Sequence, residues 1–150
     1  MRYLEDLVAG TVYPASSVQL SEADILEFAT RYDPQPFHVD PEAARRSPYG
    51  GLIASGWHTI AVTMRLIVDH VFNDAASLGS PGVDEIRWLV PVRPGDTLSP
   101  RVTIEETRSS RSKPDRGFLR FRVEVENQDG ALAMTMVGTA MVATRPAAPG

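Results

Sequence analysis

One stretch of the chain alternates strictly. Between Phe118 and Glu126, Leu119, Phe121, Val123 and Val125 interleave with Arg120, Arg122, Glu124 and Glu126. Successive side chains of a strand point to opposite faces, so this pattern predicts an antiparallel strand with one wet face and one buried face. Val83–Val90, Leu98–Thr107 and Ala131–Ala143 are rich in Val, Ile, Thr and Leu, with the turn segments PVRPGDTL and NQDG between them. They predict three more strands, and Val12 to Leu20 predicts another near the start. Elsewhere the period is helical. Ile25, Phe28, Ala29 and Tyr32 fall on one face behind Ser21, an N-cap with Asp24 three residues on, which predicts a helix over Glu22–Tyr32. Asp40-Pro41 opens a second, short helix running to about Arg46. From Ser55 to about Asn73 apolar residues cover most of the circumference, so this helix is expected to be wrapped by the rest of the protein. A long central helix with about five antiparallel strands is an α+β architecture.

Length and charge narrow the class without changing that picture. A chain of 150 residues builds one domain with a real core, and RPAAPG at about 144–150 reads as a disordered tail. The net charge of −4 is spread along the sequence, which predicts affinity for neither nucleic acid nor an acidic membrane. There is no cysteine, so disulfides, thiolate–zinc sites and thiol nucleophiles are excluded. The first ten residues, MRYLEDLVAG, lack the basic-then-apolar profile of a signal peptide. The expectation is a soluble, cytoplasmic, single-domain protein.

Candidate chemistry begins in RYDPQPFHVDPEAA. Asp33 and His38 lie five positions apart in a loop stiffened by Pro34, Pro36 and Pro41. A carboxylate and an imidazole held close can share a water molecule, one accepting its proton and the other delivering a proton elsewhere. Histidine suits that work because its unperturbed pKa, ~6.5, lies near neutrality. Taken alone, the residues fit better with Asp33 ending a helix and His38 packing beside Phe37. A second element is GLIASGWHT, which puts Gly56 at the start of the long apolar helix. Unpaired N–H groups at a helix start can hold developing negative charge on a carbonyl oxygen, and glycine allows close approach. The alternative there is a plain helix start.

In order, these elements are an amphipathic helix, D-x-x-P-x-H, a short helix, a Gly-rich turn with G-x-I-A-x-G, and then strands with P-V-x-P-G-D-T-L. That series resembles the MaoC-like dehydratase family, the R-specific enoyl-CoA hydratases of the hotdog fold, over roughly residues 10–143. The resemblance implies a hotdog unit, with the sheet wrapped around the helix Ser55–Asn73. It implies reversible hydration of trans-2-enoyl-CoA to (R)-3-hydroxyacyl-CoA, with Asp33 and His38 activating the water. The Gly56 N–H would polarise the thioester carbonyl, and Gln35, Phe37, Ser55 and Trp57 would bind substrate. Neither a metal nor a cofactor is implied, since coenzyme A is part of the substrate, and the open edge of a single hotdog implies a homodimer. Two departures stand out: Gln35 replaces a common asparagine, and Ser55 replaces the histidine many members carry before the glycine. A hotdog thioesterase and a non-catalytic acyl-thioester-binding subunit are the alternatives.

Other residues carry less. Trp57, Ile60 and Met64 are candidates for an acyl pocket or simply for the core. His58 is expected to make an ordinary structural hydrogen bond, and His70 to face the helix C-terminus. Arg108, Arg111, Lys113 and Arg116 read as a solvated hairpin loop, with phosphate binding as the other reading.

Overall fold

The structure, a computed structural model, describes residues 1–150. Six strands form one antiparallel sheet: β1 (Val12–Pro14), β2 (Val18–Gln19), β3 (Ser77–Trp88), β4 (Thr97–Ser109), β5 (Arg116–Glu126) and β6 (Leu132–Ala143). The order is β1-β4-β5-β6-β3, with β2 also pairing β4. Four helices cover one face: α1 (Glu22–Tyr32), α2 (Pro36–Val39), α3 (Pro41–Arg45) and α4 (Gly56–Ile67), the last continued by a π-helical turn over Val68–Phe72. A helix lying on a curved antiparallel sheet is the hotdog arrangement.

The alternation in β5 works as the sequence implies. Leu119, Phe121, Val123 and Val125 are buried; the last three face the main core with Val102 and Leu98 of β4 and Met134 and Met136 of β6, and Leu119 packs in a smaller cluster with Leu4, Leu7, Ile104 and Val142. The outer face carries cross-strand ion pairs: Arg120 to Asp84 at 2.7 Å, Arg122 to Glu105 at 3.0 Å and Arg101 to Glu126 at 2.6 Å.

Three expectations need correction. The strand expected over Val12 to Leu20 is two short strands. Three residues separate the paired positions Pro14 and Val18, whereas two separate their partners Arg101 and Leu98. That extra residue, next to a proline that cannot donate to the ladder, breaks the pairing. Second, the proline loop contains a helical turn of its own, α2, too short to leave a periodic signature.

The third concerns α4, which is not wrapped on every side. His58, Thr59, Thr63 and Ile67 form its buried face, whereas Trp57 is 58% and Met64 39% exposed. Beside them β3 is an unpaired sheet edge, exposed along nearly its whole length. On that side Trp57 meets only the Trp88 ring at the end of β3, and both indoles stay largely open to solvent. No helix is long and apolar enough to cross a membrane.

Candidate active site

The prolines position the two catalytic candidates through backbone geometry. Asp33 ends α1 at φ −153° and ψ 68°, a conformation outside the α region that the following Pro34 disfavours. Pro36 and Pro41 occupy the first positions of α2 and α3, where a missing N–H costs nothing. His38 is thus the third residue of a pre-set helical turn. Its Nε2 lies 3.4 Å from Asp33 Oδ2, and both side chains are largely buried, at 6% and 17% exposed.

Each partner is held on its far side. His38 Nδ1 lies 2.7 Å from the Ile53 carbonyl. A carbonyl only accepts, so Nδ1 carries a proton, and Nε2 is the ring nitrogen turned toward Asp33. Asp33 Oδ1 accepts from the Gln35 amide at 2.8 Å, and Oδ2 accepts from the Ser55 hydroxyl at 2.7 Å. Burial pushes the Asp33 carboxyl up, but the hydrogen bonds from Gln35 and Ser55 and the nearby His38 outweigh it. The net effect is a carboxyl below its ordinary value of 3.8, ionised at neutral pH.

The start of α4 completes the arrangement. A helix leaves its first N–H groups without intrahelical partners. Here Trp57 N–H donates to Ser55 Oγ at 3.3 Å, and the His58 and Thr59 N–H groups both turn back to the Ser55 carbonyl. Gly56 N–H alone has no acceptor in the chain. A Cβ on Gly56 would sit 2.3 Å from the Trp88 indole, so only glycine fits beneath that ring.

Backbone hydrogen bonds tie the three sequence motifs together at Ile53-Ala54. Ile53 N–H donates to the Phe37 carbonyl at 3.1 Å, and Ala54 N–H to the Val92 carbonyl at 2.8 Å. One residue pair thus clasps the Asp–His loop on one side and the PVRPGDTL turn on the other. The result is a cleft of about 510 Å³, with Asp33, His38 and Gly56 in its wall and Phe37, Tyr49, Trp57 and Trp88 around them.

Of the residues expected at substrate, Gln35, Phe37 and Trp57 line the cleft. Ser55 does not. It is fully buried, and its hydroxyl is committed to Asp33 and to the α4 cap, a positioning role. Among the acyl-pocket candidates Trp57 lines the cleft, but Ile60 and Met64 do not, and Thr59 stands at the buried end instead. That exchange follows from the α4 orientation: Thr59, two residues past Trp57, turns inward while Met64 turns out.

His58 departs from expectation. It stacks on Phe28 at 4.7 Å with an interplanar angle of 5°, yet its buried Nδ1 has no hydrogen-bond partner. Burial holds its pKa below the usual histidine value, with Asp24 acting weakly the other way. His70 Nδ1 pairs with the Leu66 carbonyl at 2.9 Å near the helix end. Of the four basic residues expected in a hairpin loop, Arg108 and Arg116 lie in β4 and β5, where Arg116 pairs with Asp115 at 2.8 Å and Arg108 lies over the Phe118 ring.

The fold and this site define a hotdog unit carrying a buried Asp–His pair opposite a free helix N-terminal N–H. The sequence matches the MaoC like domain over residues 6–127, and the chain belongs to that family. The crystal structure of a MaoC-like dehydratase from Rhodospirillum rubrum is similar at a TM-score of 0.88 and 38% identity, covering 98% of this chain and 100% of that one. The (R)-hydratase from A. caviae involved in PHA biosynthesis is similar at 0.69 and 25% identity, over 94% of this chain and 99% of its own. Protein YdeM of Bacillus subtilis is 30% identical over 125 residues, 83% of this chain and 87% of its length.

Proposed function

We propose that this protein hydrates trans-2-enoyl thioesters to (R)-3-hydroxyacyl thioesters, or runs the reverse dehydration, with coenzyme A as the carrier. The observation that carries this reading is the 3.4 Å Asp33–His38 pair sharing one cleft with the unpartnered Gly56 N–H. A water between Nε2 and Oδ2 meets two acceptors and donates a hydrogen to each. As its oxygen bonds to C3 of the enoyl group, one O–H bond breaks and the proton passes to His38 Nε2. The C2=C3 electrons move toward the thioester carbonyl, whose oxygen rests on Gly56 N–H. The Asp33 carboxylate stabilises the imidazolium so formed. The same proton then goes from Nε2 to C2, the enolate electrons return, and the ring is neutral again. Every proton is accounted for by these groups and the added water.

The functional unit in this reading is a homodimer. Trp57, Trp88, Leu89 and Val90 line the cleft and are also exposed. With Met64 and Val83 they make an apolar surface at the unpaired β3 edge, and a second copy placed there covers the edge and closes the open side of the cleft.

The test follows loss of enoyl-thioester absorbance with crotonyl-CoA and with longer and branched 2-enoyl-CoAs, with free thiol monitored in the same samples. Asp33→Asn and His38→Ala are each expected to lower kcat by about 10²–10⁴, the range for removing a general acid–base group, while the fold persists. Thiol release instead of hydration would mean a thioesterase. A folded wild-type protein that does neither would leave the pair as scaffolding and overturn the proposal.

A further inference from the structure

The indole of Trp88 lies against the Cα of Gly56, the residue that carries the free N–H of α4, and nothing in the chain accepts from the indole N–H. Trp88 is the last residue of β3, opposite Met134 in β6. The next residue, Leu89, donates its N–H to the Ala133 carbonyl at 2.8 Å, which anchors the backbone. The ring is fixed from the other side by Trp57, at 5.7 Å between centroids and 72° between planes. No side-chain hydrogen bond of the chain involves Trp88.

The distances decide what this proximity can do. Covalent geometry puts a Cβ position about 2.5 Å from its own backbone nitrogen. Trp88 Nε1 is 2.4 Å from that position on Gly56, so the two nitrogens lie within about 5 Å of each other. Two donors can share one oxygen at about 2.7–3.1 Å each whenever they are closer than about 6 Å. Both residues line the same cleft as Asp33 and His38.

We infer that Trp88 Nε1–H is a second donor to the thioester oxygen, forming with Gly56 N–H a two-point oxyanion site. This rests on the hydratase reading above and adds to it a catalytic residue from β3, far in sequence from the Asp–His loop and the helix start. A backbone donor and a fixed indole donor both aim at the oxygen that gains charge as the enolate forms. Neither must reorient as the reaction proceeds, so both act mainly on the transition state.

Trp88→Phe keeps an aromatic ring over Gly56 and removes the N–H. Replacement of Trp88 by benzothienylalanine keeps the whole bicyclic ring and puts sulfur in place of N–H, which covers the case in which the smaller ring unsettles the fold. With crotonyl-CoA both variants are expected to lose about a hundredfold in kcat, the low end for one oxyanion donor, with KM nearly unchanged. A second readout is the red shift of bound 2,4-hexadienoyl-CoA, which reports polarisation of the carbonyl. It should shrink in both variants while binding stays within a few-fold of wild type. Wild-type kcat or an undiminished red shift in the benzothienylalanine protein overturns the inference and leaves the hydratase reading standing. Absence of hydration by the wild type with every 2-enoyl-CoA overturns both.

Discussion

Ser55→Ala tests the link that holds the carboxylate and the long helix together. One hydroxyl donates to Asp33 Oδ2 at 2.7 Å and accepts from Trp57 N–H at 3.3 Å. Removing it deletes an N-cap, worth about 1 kcal/mol, and a hydrogen bond to an ionised carboxylate, worth about 1.5–3 kcal/mol. Ser55 is 0% exposed, so water cannot readily take its place, and the expected loss is about 3 kcal/mol. For a domain of this size that lowers Tm by roughly 6–12 °C. The pH dependence follows from Asp33. Its folded pKa is below the unfolded value, so the stability it contributes is present above about pH 4 and fades as pH falls through the folded value. Urea melts at fixed protomer concentration should therefore separate wild type from variant fully at neutral pH and less at about pH 3. The same substitution should move the acid limb of the hydration pH–rate profile upward. A double-mutant cycle with Asp33→Asn isolates the contact and should return a coupling of at least about 1 kcal/mol. Additivity of the two substitutions, or an unchanged Tm in Ser55→Ala, would refute the reasoning.

Two further outcomes follow from groups outside the reaction. Because burial lowers the His58 pKa, the unfolded chain binds a proton there more readily than the folded one, and stability falls as pH drops below about 6.5. His58→Leu should flatten the urea midpoint against pH between about 5 and 7, and a slope equal to that of wild type would count against it. Val83 stands 48% exposed on the free edge strand. If the proposed homodimer forms at that edge, Val83→Glu should leave a monomer in light scattering and lower hydration with it; an unchanged dimer mass would place the interface elsewhere.

What was legible in the sequence was what local spacing encodes. The period of two in Phe118–Glu126 and the capped helix Glu22–Tyr32 need only near neighbours to be read, and both stand as expected. The apolar circumference of α4 was legible as apolarity but not as burial, because the pattern is the same whether the chain's own sheet or a second copy covers Trp57 and Met64. The Ser55–Asp33 bond spans 22 residues and the Trp88–Gly56 contact joins β3 to α4; neither leaves a local signal. What the residues of the site share is position. Asp33 ends α1, Gly56 begins α4, Trp88 ends β3, and His38 sits in a helix of four residues. Element ends are where backbone groups lack regular partners, so a site assembled there draws donors the fold leaves free, such as Gly56 N–H, instead of disrupting a ladder to obtain them. That economy also explains why the prolines belong to the site. By fixing where α1 stops and where α2 and α3 start, they fix which backbone groups are spent on structure and which side chains are left to face the cleft.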